Sequence, residues 1–216
     1  DTPKPPPPPS NLERNPKKAL VCDDPSKPYL GQTPIVRLMN VEYYNTLKDL
    51  LAPLSLGDRP TSLPDEAAID KRFTNNADGQ STSDELVAAL ETGARAAGSA
   101  VAKDLGKLGI GGCPPANAGA EGACIDAFIS TFGRKAYRRP LEDDERTRLK
   151  ELYTQVRGSY DFPTAVELVT DAILQSPQFL YRIERGEGSG DAVKLTGHEM
   201  AARLSYLLWD TMPDAD

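Results

Sequence analysis

The 216-residue sequence contains few of the side chains that usually hold metals or haem. It has one histidine and three cysteines, whereas a tetrahedral zinc site needs about four ligands. The cysteines are followed by Asp-Asp, Pro-Pro and Ile-Asp, so no Cys-x-x-Cys-His motif is present to attach a c-type haem. We therefore predict no metal site and no cofactor site in this chain. The sequence assigns no catalytic residue.

Positive charge and long apolar runs are also scarce. The chain has 25 Lys and Arg residues against 32 Asp and Glu residues, which gives a net charge of −7. Nucleic-acid binding depends on basic surface that displaces counterions from phosphates, so this balance argues against it. No apolar run approaches the ~20 residues that span a bilayer. The sequence predicts neither a nucleic-acid partner nor a transmembrane segment.

Proline is abundant, with 19 residues, and it clusters at the front of the chain as DTPKPPPPPS. Such a run prefers the extended polyproline conformation and acts as a semi-rigid spacer. We interpret residues 1–18 as a tether to a membrane anchor or cell surface, and a ligand for a proline-binding domain is the alternative. The chain begins with Asp rather than Met, which we take as a sign of processing or trimming.

Helical periodicity dominates the rest of the chain, and no segment shows convincing strand alternation. Asn40 is expected to cap the first helix, and Thr82 with Glu85 forms a capping-box pattern before the second. Thr196 and Glu199 repeat that pattern before the last helix. The predicted helices cover residues 40–51, 82–108, 125–136, 143–156, 163–174, a short stretch from 177 to 183, and a helix from 196. The fold class is all-α, an irregular bundle of about six helices with long loops and a proline-rich tail.

Two cysteines indicate the compartment. Cys113 and Cys124 bracket a loop of small residues, GGCPPANAGAEGACID. A disulfide closing such a loop would contribute ~2–3 kcal/mol in the chain-entropy picture, and a zinc site is the competing interpretation. A disulfide implies an oxidising compartment, so we expect a secreted, periplasmic or cell-surface protein. Cys22 is left over, which suggests a partner cysteine outside this chain.

Three segments carry specific residues in a recognisable order. The first is PIVRLMNVEYYNTLKDLL at 34–51, and the second is CIDAFISTFGRKAYRRPL at 124–141. The third comprises AILQSPQFLYRIE at 172–184 together with residues 195–213. In this order they resemble planctomycete-type secreted proteins that contain several consecutive domains of unknown function. The chain resembles the N-terminal part of such a protein.

That resemblance implies a context for the chain. Proteins of this type commonly continue through more helices and often include a Cys-x-x-Cys-His motif. Because the motif is missing here, the resemblance implies a c-type haem on the missing C-terminal part or on a partner. We divide the chain into a tether at 1–18, a helical module at 19–110, a second module with the disulfide loop at 111–160, and the truncated start of a third at 161–216.

A cluster of cations near the end of the third helix is a candidate contact for an anion or a partner. Its members are Arg134, Lys135, Arg138 and Arg139. Arginine forks could bind an acidic polymer or a carboxylate. The alternative is a structural network with Asp143, Asp144 and Glu145. His198 is either a ligand to a haem or metal on a partner or an ordinary helix-surface residue.

The last predicted helix carries an apolar face near the end of the chain. Its residues are Met200, Leu204, Leu207, Leu208 and Trp209. We interpret this face as a docking surface for the protein's own C-terminal continuation or for another chain. The leading hypothesis is a non-catalytic scaffold module associated with a haem-bearing portion. The alternative is part of an extracellular enzyme, an oxidoreductase or a polymer-degrading enzyme, in which this chain supplies a wall of the substrate cleft.

Overall fold

The computed structural model describes residues 34–54, 56, 60–66, 77, 80–188 and 193–214. They all fall within the compact unit Thr33–Asp216. The predicted tether at 1–18 and Cys22 lie outside the described residues.

Within the described residues the protein is mainly helical, as predicted. The helices are α1 (Asn40–Leu50), α2 (Asp84–Lys103), α3 (Glu121–Tyr137), α4 (Asp143–Arg157), α5 (Phe162–Gln175), α6 (Pro177–Leu180) and α7 (Gly197–Trp209). Two short strands, β1 (Val36–Arg37) and β2 (Tyr181–Arg182), and two 3₁₀ turns, Leu105–Leu108 and Ala118–Ala120, complete the elements. No helix of the described part is both long enough and apolar enough to cross a membrane.

The small sheet formed by β1 and β2 was not predicted from the sequence. β1 and β2 pair antiparallel, with Val36 opposite Arg182, and the Leu38 amide donates to the Leu180 carbonyl at 2.8 Å. The prediction of a helix through Tyr181 and Ile183 was wrong, because the backbone becomes extended at Tyr181. This pairing places the residues that precede α1 beside the residues that follow α6.

Helix α5 forms the centre of the core. Its inward side chains, among them Ala165, Val166, Val169 and Ile173, are completely buried. It packs between α2 and α4. The approach to α2 is close, since a Cβ added to Gly98 would lie 2.8 Å from the carbonyl oxygen of Glu167. A glycine at position 98 therefore lets these two helices meet with backbone in contact.

Helical spacing predicts Ile125, Phe128, Ile129 and Phe132 as the inward face of α3. This is confirmed: all four are buried, and the two phenylalanine rings stack with centroids 5.0 Å apart. For α1, helical spacing predicts an inward face of Val41, Tyr44, Leu47, Leu50 and Leu51, and this prediction was partly wrong. Val41 is 47% exposed and Tyr43 is buried in its place, because the inward face of α1 runs through residues 43, 47 and 50.

The start of α1 differs from the prediction. Glu42 folds back and accepts a hydrogen bond from the Met39 amide at 2.7 Å, so Met39 rather than Asn40 occupies the cap position. The Asn40 side chain instead donates to the Pro64 carbonyl at 2.8 Å. Asn40 thus joins a neighbouring loop to the helix.

Helix α2 also begins and ends inside its predicted bounds. Ser83 Oγ accepts from the Leu86 amide at 3.2 Å, so the predicted box of Thr82 and Glu85 is replaced by a serine cap one residue later. The α-helix ends at Lys103, and a 3₁₀ turn leads to Gly109, which has a φ of 66°. Glycine tolerates that left-handed conformation without strain.

The cap of α7 is confirmed. Glu199 Oε2 accepts from the Thr196 amide at 2.7 Å, and Thr196 Oγ1 accepts from the Glu199 amide at 3.2 Å. The other oxygen of Glu199 accepts from the amides of Arg185 and Gly186. Partial burial raises the pKa of Glu199, but these backbone donors outweigh it and lower the pKa overall.

The disulfide between Cys113 and Cys124 is present, with the two Cα atoms 5.0 Å apart. It joins the small-residue loop to the first turn of α3. Cys124 is completely buried in the core beside Ile125. The cross-link therefore holds an otherwise exposed loop on the core.

Candidate functional site

The end of α3 is held by a buried arginine. Arg138 terminates the helix in the left-handed conformation, with a φ of 59°. Its guanidinium is buried, and Nη2 donates to the carbonyls of Gln178 at 2.7 Å, Phe179 at 3.1 Å and Tyr181 at 2.9 Å. Arg138 therefore binds the end of α3 to α6 and β2.

Tyr206 of α7 meets the same arginine. Its hydroxyl accepts from Arg138 Nη1 at 3.2 Å and shares a hydrogen bond of 2.9 Å with Thr46 Oγ1 of α1. The guanidinium carbon atoms of Arg138 and Arg182 lie 5.6 and 5.4 Å from the centroid of the Tyr206 ring. Cations at that range are attracted by the negative charge of an aromatic face.

A buried carboxylate completes this group. Glu42 is 2% exposed, and its Oε1 lies 3.8 Å from Arg182 Nη2. Burial raises the pKa of Glu42, and the Met39 amide and Arg182 offset only part of that effect. We call the five residues Glu42, Thr46, Arg138, Arg182 and Tyr206 the Tyr206 cluster. It contains two guanidinium groups and one carboxylate.

A cleft opens beside the Tyr206 cluster, with a volume of about 40 Å³. We call it the arginine cleft. Its lining includes Arg139, Arg182, Glu184, His198, Ala202 and Arg203. A larger cavity of about 240 Å³ lies at the end of α1, but its lining is mainly apolar, with only Lys48 and Asp49 charged. The arginine cleft is therefore where ionisable side chains converge.

Two ion pairs border the cleft. Arg139 grips Glu145 with both terminal nitrogens, at 2.9 and 2.7 Å. Burial raises the pKa of Glu145, but the hydrogen bonds from Arg139 and from the Glu142 amide bring it below its usual value. Arg203 holds Glu184 in the same bidentate way, with Nε 2.9 Å from Oε1. Such fork geometry fixes both partners.

The four predicted cations do not share one surface. Arg134 and Lys135 are exposed on α3, Arg138 is buried, and Arg139 is committed to Glu145. The other two predicted acidic partners pair elsewhere in α4: Asp143 with Arg146 and Asp144 with Arg148. Arg182 and Arg203 were not predicted from the sequence, because their ion-pair partners, Glu42 and Glu184, lie far from them along the chain.

His198 lies exposed on α7, at the edge of the arginine cleft. No group of three or more metal-ligating side chains occurs among the described residues. A role of His198 towards a haem or metal on a partner stays a prediction.

Helix α7 buries polar side chains and exposes apolar ones, which is the reverse of an ordinary surface helix. Its two buried residues, Ser205 and Tyr206, both carry hydroxyl groups. Its large apolar side chains face outward, at 43% to 74% exposure: Met200, Leu204, Leu207, Leu208 and Trp209. We call these five residues the α7 stripe. Surface helices normally bury such a stripe against the core.

The described residues form a mainly helical body in which successive segments of the chain share one hydrophobic core. Three models of protein families of unknown function match it in order: PSD3 (DUF1587) at residues 37–103, PSD5 (DUF1595) at 124–184 and PSD4 (DUF1592) at 195–216. These families are typical of planctomycete-type multidomain proteins. No curated protein and no solved structure matches the chain.

The Tyr206 cluster joins the three matched segments. Glu42 and Thr46 belong to the first, Arg138 and Arg182 to the second, and Tyr206 to the third. The contacts between them are buried hydrogen bonds and charge contacts. The cluster is thus the polar junction at which the segments meet.

Proposed function

We propose that this chain is a non-catalytic helical scaffold that docks a haem-bearing protein portion through the α7 stripe. The docked portion lies outside this chain, on the same polypeptide or on another one, and carries a c-type haem for electron transfer. The proposal places the protein in a secreted, periplasmic or cell-surface setting, with residues 1–18 as a tether to a membrane anchor or cell surface.

The observation that carries the proposal is the outward apolar face of α7. Contiguous exposed apolar patches larger than a few hundred Å² are rare on monomeric proteins and usually mark interaction sites. The α7 stripe contains no charged side chain and includes the only tryptophan of the chain, Trp209. Tryptophan is enriched among the residues that dominate binding energy at interfaces.

The setting is supported by the disulfide between Cys113 and Cys124, since disulfides persist mainly in oxidising compartments. The haem rests on the resemblance to multidomain proteins that often carry a c-type motif. A catalytic role is less well supported, because substrate pockets usually measure ~300–1,000 Å³, and the two cavities described above measure about 40 and 240 Å³.

Co-expression with the haem-bearing portion tests the proposal. An affinity tag on this chain should recover Soret absorbance from the wild type. Leu204→Asp and Leu208→Asp should remove that absorbance, because each buries a charge in the contact. Leu168→Asp is the matched control, since Leu168 is an exposed leucine of α5 outside the stripe.

Two results would contradict the proposal. If the complete protein shows no Soret absorbance, the haem association is wrong. If the isolated chain turns over a polymer or a redox substrate, the non-catalytic assignment is wrong.

A further inference from the structure

The carboxylates around the arginine cleft already have strong partners. Glu184 is held by Arg203, and Glu145 by Arg139. Glu199 accepts hydrogen bonds from three backbone amides. Each of these carboxylates therefore has its own hydrogen-bond donors, and among the described residues Arg182 donates to none of them.

Arg182 is the exception among the arginines that line the cleft. Within the described part of the chain, its guanidinium donates no hydrogen bond, and its Nε is buried without a partner. Its charge partner, Glu42, lies 3.8 Å away and is itself bound to the Met39 amide. An arginine offers five N–H donors in a planar fork, so Arg182 retains unused donors.

Arg138 stands on the same tyrosine ring and bonds only to carbonyls and a hydroxyl. Among the described residues, the one ion pair that these two arginines form is that of Arg182 with Glu42, at 3.8 Å. An anion bound in the cleft would give Arg182 a charge-assisted hydrogen-bond partner.

The cleft limits what that anion can be. A cavity needs ~10–15 Å³ to hold one water molecule, so 40 Å³ accommodates a group of about three such volumes. That is the scale of a carboxylate.

We propose that the arginine cleft binds a carboxylate, with the guanidinium of Arg182 as its principal donor and His198 at the entrance. Because Arg182 also touches Tyr206 and Glu42, an occupied cleft would strengthen the contact between the matched segments. This site is separate from the α7 stripe, so it can fail or hold independently of the docking function.

The test uses the full chain and sodium acetate, with sodium chloride at equal ionic strength as the reference. We expect the wild-type unfolding midpoint to rise by about 3 °C at an acetate concentration ten times the Kd. The ¹⁵N–¹H signal of Arg182 Nε should shift and saturate over the same range. Arg182→Gln should abolish the rise of the unfolding midpoint, and Ala202→Leu should abolish both responses by filling the cleft while leaving its charges in place.

Arg148→Gln is the matched control, because Arg148 is an exposed arginine that is paired with Asp144 and does not line the cleft. It should keep the acetate response. Equal midpoints of the wild type in acetate and chloride would overturn the proposal, as would a full response in Arg182→Gln.

A second pair of ligands identifies the source of the carboxylate. N-acetyl-aspartyl amide carries a side-chain carboxylate on a peptide, and N-acetyl-asparaginyl amide is its neutral match. Saturable binding of the first alone supports a site for an acidic side chain of a partner. Binding of acetate without either amide supports a site for a free small carboxylate.

Discussion

Removal of one oxygen atom from Tyr206 tests whether the Tyr206 cluster holds the body of the protein together. In Tyr206→Phe the ring stays in place, while Thr46 Oγ1 and Arg138 Nη1 lose a partner at 2.9 and 3.2 Å. Thr46 is completely buried and Arg138 nearly so. Leaving a buried polar group unsatisfied costs about 1–3 kcal/mol.

We therefore expect Tyr206→Phe to lower the free energy of unfolding by about 2 kcal/mol. For a protein of this size, that loss lowers the thermal midpoint by roughly 4–8 °C. Chemical denaturation followed by far-ultraviolet circular dichroism measures the first quantity, and calorimetry measures the second. The midpoint denaturant concentration should fall without a change of slope.

A double-mutant cycle separates the hydrogen bond from other effects of the substitution. Thr46→Val removes the same contact from the other side, so the double variant should be less destabilised than the sum of the single variants by ~1 kcal/mol. Tyr160→Phe is the control, because Tyr160 is an exposed tyrosine. If Tyr206→Phe is as silent as that control, the cluster contributes no stability and the reasoning is refuted.

Three further outcomes follow from local geometry. Reducing the Cys113–Cys124 disulfide, which spans a sequence separation of 11, should cost ~3 kcal/mol of unfolding free energy by equilibrium denaturation. The pKa of Glu145 is lowered below 4.5, so its stabilisation is present above that pH and is lost as pH falls through the lowered value. Glu145→Gln should therefore flatten the acid limb of a stability-versus-pH curve, and an unchanged limb would contradict this assignment. Gly98→Ala should destabilise by about 1–3 kcal/mol through the contact with the Glu167 carbonyl, whereas Gly122→Ala, with open space around it, should not destabilise.

The helices were predictable because the apolar spacing that marks each one lies within a single continuous segment of the sequence. The interior of α3 and the Thr196–Glu199 cap follow from residues at most a few positions apart. The caps of α1 and α2 were misplaced for a physical reason. Several neighbouring polar residues could serve, and tertiary contacts such as that between Asn40 and the Pro64 carbonyl select among them.

The candidate site was much less predictable. Its central contacts join Thr46 to Tyr206, separated by 160 residues, and Arg138 to Tyr206, separated by 68. β2 is only two residues long, so no alternation pattern can reveal that Arg182 lies opposite Val36. The positive φ of Arg138 was equally hidden, because an arginine carries no local signal for the left-handed conformation.

The shared burial of the Tyr206 cluster has a consequence for how such proteins can be taken apart. Separating the chain at the boundaries between the matched segments would expose Thr46 on one piece and leave the guanidinium of Arg138 on another without its tyrosine partner. Each piece would then carry polar groups whose hydrogen-bond partners lie on another piece. We therefore expect the three matched segments to refold as one unit, and a recombination that exchanges one of them should need matching partners in the other two.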